Sequence, residues 1–221
     1  MNIKPSLMAA ATVTIAASTL TAISAEAAAL DFHISPFTGD QAKVKITLEQ
    51  VGNDVKFNFE VTDTLADITG VFFDINDIFN LNSNDLSVTG NYVGDLKTNT
   101  SNLGGGVNLT GGGPSNPGSF DFGVKIGTNG IGRDDIKATS FTLSHATEAL
   151  NLHMFEQQKF GVRLQSVGSN REGSSKLTGI SPIKVIRPSN SKPVGVPEPS
   201  TVLGLGLFAV GIAGTRRIVK T

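Results

Sequence analysis

The chain contains no cysteine and no tryptophan, and only one of its 221 residues is tyrosine. The absence of cysteine excludes disulfide bonds, thiol catalysis and cysteine-ligated zinc. Sugar-binding clefts usually stack their ligands on Trp or Tyr, so this composition argues against a glycosidase and weakens the case for a lectin. The formal net charge is −1 and only 17% of residues are charged. No basic stripe is present, and we therefore expect no nucleic-acid partner.

The sequence also lacks the motifs that usually identify an enzyme. Ser169 and Ser174 each follow a glycine, but neither has the second glycine of a nucleophile elbow. The three histidines, His33, His145 and His153, are not spaced as metal ligands usually are. We find no catalytic residue to assign and predict that the protein is not an enzyme.

The first 27 residues have the three parts of a secretory signal peptide. A short basic start precedes an apolar run over residues 7–23, and Ala25 and Ala27 then satisfy the A-x-A rule of signal peptidase. We predict a signal peptide over 1–27 that signal peptidase removes after Ala27, with Ala29 as the alternative site. The competing interpretation is a buried N-terminal helix.

The C-terminal end reads as a tether followed by a membrane segment. Residues 191–199 contain three prolines and predict an extended, non-helical tether. Within 200–221, the stretch 201–215 carries no charge and precedes Arg216 and Arg217. Its fifteen residues would span only ~23 Å as a helix, against a hydrocarbon core of ~30 Å. We predict a single transmembrane helix with its basic end in the cytoplasm.

This three-part tail resembles the PEP-CTERM sorting signal of bacteria that have an exosortase. The matching residues are Pro197, Glu198 and Pro199, the apolar stretch after them, and Arg216 with Arg217. The resemblance implies that exosortase cuts near the motif, so that the membrane-spanning form is transient and the domain ends at the cell surface or outside the cell. A permanent single-span anchor is the alternative.

Between the two signals, residues 28–190 have the composition and periodicity of an all-β domain. Apolar and polar residues alternate over 44–49 and again over 55–61, which predicts a hairpin with one buried face. Residues 69–75 form a more continuous apolar run, as in a strand buried on both faces. We predict an antiparallel β-sandwich or jelly roll. Further strands are expected near residues 86–93, 120–126, 141–143, 150–154, 160–164 and 183–186.

Two glycine triplets lie in the segment 99–118. Glycine this dense disfavours a regular strand because the backbone loses much entropy on ordering. The sequence therefore predicts a long loop, either mobile or closing over an edge of the sheet. No phosphate-binding pattern accompanies the triplets.

An oxygen-rich segment that contains Asp74, Asn76 and Asp77 is the one candidate metal site. Hard oxygen ligands at close spacing suit Ca²⁺. The calcium-loop pattern with its glycine is missing, however, and Asp and Asn also favour turns. We therefore expect no cofactor, with Ca²⁺ at these residues as the alternative.

Several stretches of the middle region, among them TGVFFDI, SNLGGGVNL, DFGVKIGTNGIGRDDI, FTLSHA and FGVRLQSVG, resemble cyanobacterial PEP-CTERM proteins of unassigned function. The resemblance implies an extracellular β domain, and no active-site residues come with it. Exosortase systems accompany exopolysaccharide production, so exopolysaccharide is the expected partner. We predict a non-enzymatic protein of the cell surface or extracellular matrix. The alternatives are a carbohydrate- or calcium-binding module and a hydrolase with an unrecognised site.

Overall fold

A computed structural model of the chain describes residues 29–79, 81–128 and 134–183. Within these ranges the polypeptide forms twelve strands, and every strand pairing is antiparallel, which confirms the predicted all-β class. No helix in the same ranges has the length and apolar character to cross a membrane. The strands are β1 (Ala29–Gly39), β2 (Val44–Val51), β3 (Asp54–Val61), β4 (Asp67–Phe73), β5 (Leu86–Gly90), β6 (Val93–Thr100), β7 (Asn102–Gly104), β8 (Val107–Asn108), β9 (Phe120–Ile126), β10 (Ala138–His145), β11 (Lys159–Val167) and β12 (Gly173–Ile180). Short 3₁₀ turns cover Asp77–Phe79, Ser83–Asp85, Gly113–Ser115 and Leu152–Phe155.

Strand β1 belongs to two sheets and joins them. Its first half pairs with β2, and from Ser35 onward it pairs with β12 instead. The register shifts between Pro36 and Thr38, where the strand passes along the second sheet. The first sheet therefore has the order β5-β10-β3-β2-β1 and the second the order β1-β12-β11-β4-β9-β6. The two sheets face each other as a sandwich, because aromatic side chains of β3 and β10 contact those of β4 and β11.

The hairpin of β2 and β3 follows directly from the alternation of the sequence. Val44, Ile46 and Leu48 are completely buried, and Leu48 lies opposite Phe57 in the register. Gly52 has a φ of +61°, a value that glycine adopts without steric cost at a tight turn. The predicted hairpin is therefore confirmed, with its turn at the position that the sequence indicates.

Phenylalanine supplies the largest buried side chains of the core between the sheets. Phe57 lies at its centre and is fully buried. Its ring centroid lies 5.0 Å from those of both Phe73 and Phe141 and 5.2 Å from that of Phe155. These rings come from both sheets and from a 3₁₀ turn, so one aromatic cluster holds three parts of the chain together.

The predicted strand with two buried faces is β4, in which every residue is buried. Its inner face meets the main core, whereas Phe72 on its outer face lies between two glycines, Gly123 of β9 and Gly161 of β11. A Cβ at Gly161 would overlap Leu109, and a Cβ at Gly70 would overlap Val107. The glycines leave a shallow recess on the outside of the sheet, and other side chains fill it.

The segment 99–118 fills this recess. It forms the β7–β8 hairpin, rather than the plain loop that its glycine content predicts. Leu103, Val107 and Leu109 are buried against Phe72 and Phe120 in a second, smaller core. The glycines supply left-handed turn conformations between short stretches that carry apolar anchors. Glycine content alone predicts a loop, and the three buried apolar side chains are what hold the segment in place as a hairpin.

One other predicted strand differs from the structure, and a second lies mostly outside the described residues. Residues 150–154 end in the 3₁₀ turn Leu152–Phe155, although Leu152 and Met154 are buried as an alternating strand would require. Among the described residues the last strand is β12, which ends before the predicted 183–186. Ile183 lies after β12 and is exposed, and the remaining residues of that stretch lie outside the described ranges.

Candidate functional site

The two predicted processing segments lie outside the described residues. They comprise the signal-peptide positions Ala25 and Ala27 and the sorting residues Pro197, Glu198, Pro199, Arg216 and Arg217. The same holds for the tether 191–199 and the predicted transmembrane segment 200–221. These assignments depend on sequence, and the structure describes only the sandwich domain.

A cavity of about 410 Å³ opens at one end of the sandwich, where β4 leaves the sheet. Its polar lining comes from three places: the stretch after β4, the end of β6, and the start of β9. Ile75, Leu81 and Phe122 form its apolar part, and the polar residues are Asn76, Asp77, Ser83, Thr98, Asn99 and Asp121. A volume of this size and a mixed lining are typical of pockets for small ligands.

The carboxylates of Asp74 and Asp121 each accept a backbone N–H from the other's segment, and these two hydrogen bonds fix one wall of the cavity. The backbone N–H of Asp121 donates to Oδ1 of Asp74 over 2.9 Å, and the backbone N–H of Ile75 donates to Oδ2 of Asp121 over 2.9 Å. Lys159 Nζ lies 3.3 Å from the other carboxylate oxygen of Asp74 and also donates to the carbonyls of Pro117 and Ser119. The wall is therefore held to the Gly-rich segment by one ammonium group.

The three candidate calcium ligands have different surroundings. The carboxylate of Asp74 is already paired with Lys159, and burial raises its pKa despite the N–H of Asp121 and that ammonium. Asn76 and Asp77 line the cavity. Among the described residues, no group of three His, Cys, Asp or Glu side chains is arranged to hold a metal ion. Calcium at Asp74, Asn76 and Asp77 stays a prediction, and Asp74 would have to leave its ammonium partner to contribute.

Two of the three histidines, His145 and His153, make polar contacts within the domain. His145 accepts the backbone N–H groups of Thr147 and Glu148 at Nδ1, and its Nε2 lies 3.2 Å from the carbonyl of Asn82. These contacts fix the proton on Nε2, where it is donated to that carbonyl. His153 is exposed and lies 3.0 Å from the carboxylate of Glu156.

Most of the cavity could not be identified from the sequence. Asn76 and Asp77 belong to the oxygen-rich segment that the sequence marks, but Asp121 and Asn99 lie more than twenty residues away. Asp121 carries one available signal, because it is the polar residue between two buried phenylalanines in β9. Ser83 and Thr98 carry no such signal.

Comparison with protein-family models gives one match, over residues 195–218. This match places the chain among exported proteins that carry a C-terminal sorting signal. The signal is the PEP-CTERM protein-sorting motif, as the Pro-Glu-Pro sequence and the arginines predict, and it supports exosortase-dependent processing and export to the cell surface. No curated protein and no solved structure matches the chain.

Proposed function

We propose that the mature protein is a non-enzymatic component of the cell surface or extracellular matrix. The sorting motif at 195–218 is the observation that carries this proposal, because it supports an exported protein that exosortase sorts to the cell surface. The signal peptide would start export and the C-terminal helix would hold the chain in the membrane until exosortase acts. Exopolysaccharide is then the partner that the domain would meet.

Disrupting the motif is expected to stop maturation. In the double variant Pro197→Ala/Pro199→Ala, we expect the uncleaved precursor to replace the mature form and to remain in the membrane fraction. The physical reason is that the prolines keep the cleavage region extended and accessible just outside the bilayer. Mass spectrometry of the protein from each cell fraction measures both chain ends directly.

Pro193→Ala provides the matched control, because it removes a tether proline outside the motif. It should mature normally, and an exosortase deletion should reproduce the phenotype of the double variant. Recovery of the wild-type chain from the cytosol, with both its first residues and Arg217 still present, would contradict export altogether.

A carbohydrate-binding role is the second candidate, and the polar cavity near Asp77 favours it. Carboxylate, amide and hydroxyl groups of Asp77, Asn99 and Ser83 meet there above the apolar side chains of Ile75 and Phe122. Such a lining can bond sugar hydroxyls while an apolar floor contacts a ring face. The carboxylate of Asp77 is also one of the candidate ligands for a Ca²⁺ ion.

The variant Asp77→Ala is expected to weaken binding of a neutral saccharide at least about tenfold, because a carboxylate–hydroxyl hydrogen bond is lost. A glycan array selects the saccharide, and calorimetry with and without Ca²⁺ measures its affinity and tests the cation prediction. Asp63→Ala serves as the control, since Asp63 is an exposed aspartate outside the cavity lining. An equal loss of saccharide affinity in both variants would exclude this cavity as the binding site.

Turnover of any glycan, abolished by changing one acidic residue, would overturn the proposal that the protein is not an enzyme.

A further inference from the structure

A second cavity, of about 270 Å³, lies between the Gly-rich hairpin and the outer face of the second sheet. We call it the basic pocket. Its lining includes the side chains of two cations and three hydroxyl residues, together with glycine backbone from the hairpin. The lining residues that matter here are Thr38, Thr110, Gly111, Arg163, Ser174 and Lys176.

The two cations lie directly opposite each other on neighbouring strands. Arg163 of β11 pairs in register with Lys176 of β12, and both line the same cavity. Like charges at directly opposed positions of an antiparallel pair repel each other and destabilise the sheet. Burial lowers the pKa of the Arg163 guanidinium, and burial together with Arg163 lowers the pKa of Lys176. The pocket therefore holds two positive charges at an energetic cost.

Every hydrogen bond that these cations make goes to a neutral acceptor. Arg163 donates from Nη1 to the carbonyls of Leu164 and Ser175 over 3.1 Å, and from Nε to the carbonyl of Gly106. Lys176 donates to the amide oxygen of Asn108 over 2.8 Å and to the carbonyl of Thr110. Nη2 of Arg163 and the third ammonium proton of Lys176 have no acceptor in the described part of the chain, and neither nitrogen is among its buried unsatisfied atoms, so both can reach a ligand that enters the pocket from solvent.

No carboxylate neutralises the pair. Neither Arg163 nor Lys176 forms an ion pair with any residue that the structure describes. Asp40 follows Gly39, which lines the pocket, but its Oδ2 accepts the backbone N–H of Ser174 over 2.7 Å. Among the described residues no carboxylate forms an ion pair with either cation, so the positive charge of the pocket has no counterion in this part of the protein.

The hairpin backbone adds further donors. Gly111 and Gly112 have φ values of +94° and +83°, and both line the pocket. Their N–H groups have no acceptor among residues 29–79, 81–128 and 134–183. Successive backbone N–H groups in a turn can together form a concave site for an anion.

We propose that the basic pocket binds one oxyanion group, a carboxylate or a sulfate, between Arg163 and Lys176. The plainer interpretation is that the two cations only hold the hairpin on the sheet. Holding the hairpin requires donors but no charge, because glutamine or asparagine amides could bond the same carbonyls without repulsion. An oxyanion explains the unused donors and the uncompensated charge together, since it accepts hydrogen bonds and is the missing counterion. The volume is slightly below the usual range for ligand pockets of about 300–1,000 Å³, which suits one charged group.

The test uses the full chain purified in a detergent and three probes at constant ionic strength: sodium sulfate, sodium acetate, and a short polygalacturonate oligomer. We expect each probe that binds to raise the melting temperature in a saturable way. The free ions and the oligomer distinguish a free anion from a chain-borne carboxylate. A neutral galactose oligomer should cause no change.

Two variants of pocket residues and one control variant test whether the probes bind in the basic pocket. Lys176→Gln keeps a donor and removes the charge, and we expect at least about tenfold weaker binding. Ser174→Asp puts a carboxylate inside the pocket, where it should pair with the cations, raise the melting temperature and abolish binding. Lys137→Gln removes an exposed charge elsewhere and should bind like the wild type.

Loss of binding in Ser174→Asp with unchanged or higher stability supports the proposal, even if Lys176→Gln proves unstable. The proposal is overturned if no probe stabilises the wild type, or if both pocket variants bind as well as Lys137→Gln does. These outcomes are independent of cellular location, and the result therefore stands apart from the proposed surface role.

Discussion

Replacing Phe57 with alanine is expected to lower the free energy of unfolding by about 3–5 kcal/mol, the usual cost of truncating a buried aromatic residue. Phe57 is fully buried and its ring contacts aromatic side chains from both sheets. Alanine would leave a cavity bounded by Phe73, Phe141 and Phe155, and these rings cannot move inward without losing contacts with one another. Because domains of this size unfold with about 5–15 kcal/mol, the variant should lose a large part of its stability.

Urea denaturation followed by far-ultraviolet circular dichroism measures this change. The control is Tyr92→Ala, because Tyr92 is 64% exposed at the turn between β5 and β6 and should change stability by no more than about 0.5 kcal/mol. A loss below about 1.5 kcal/mol for Phe57→Ala would mean that the aromatic cluster repacks, or that it is not the centre of the core.

The parts of the fold that the sequence predicts are those with a local pattern. The β2–β3 hairpin shows strict alternation on both sides of Gly52, and β4 is continuously apolar from Val71 to Phe73. Each pattern is contained in a few neighbouring residues, and each is found as predicted. Hydrophobic periodicity identifies such elements because burial alone decides which face each residue takes.

The parts that the sequence does not predict depend on distant neighbours. Strand β12 contains Gly, Ser, Thr and Lys, and its only fully buried apolar residue is Leu177. It is a strand because β1 and β11 flank it and satisfy its backbone groups on both sides. Likewise, the seating of the Gly-rich hairpin requires Gly70 and Gly161, which are about ninety residues apart and are adjacent only in the folded sheet.

The same distinction applies to the candidate sites. The oxygen-rich segment at Asp74 is visible in the sequence because its residues are neighbours along the chain. The pairing of Arg163 with Lys176 is not visible, since thirteen residues and a turn separate them and the register of β11 and β12 brings them together. Charge that is evenly distributed along a sequence can thus be concentrated in the fold.

A buried carboxylate at the start of β4 makes the stability of the domain depend on pH. Asp67 is 2% exposed, and its Oδ1 accepts the backbone N–H of Ile136 over 3.0 Å. Burial is the main cause that raises the pKa of Asp67 from 3.8 to about 6. The N–H of Ile136 opposes this change, Asp134 and Asp135 reinforce it, and Arg171 opposes it weakly. The native state therefore retains a proton that the unfolded chain releases at lower pH.

This difference in the pKa of Asp67 between the native and unfolded states decides whether stability rises or falls with pH. Below about pH 4 both states are protonated, and the contribution of Asp67 to stability is at its maximum. Between pH 4 and pH 6 the native state binds more protons than the unfolded state, so the stability falls as the pH rises. A pKa difference of about 2 corresponds to a loss of about 3 kcal/mol, which is complete above about pH 6.

Asp67→Asn removes this titration while it keeps an oxygen that can accept the N–H of Ile136. We expect the wild type to lose about 3 kcal/mol relative to the variant between pH 4 and pH 7.5, measured by urea denaturation at each pH. Glu148→Gln removes an equal charge from the exposed surface and controls for the change in net charge. If the difference between the wild type and Asp67→Asn were constant with pH, Asp67 would be ionised at the same pH in both states. Its carboxylate would then have to be hydrated in the native protein, and the packing of β4 against Ile136 would have to be looser than the hydrogen bond indicates.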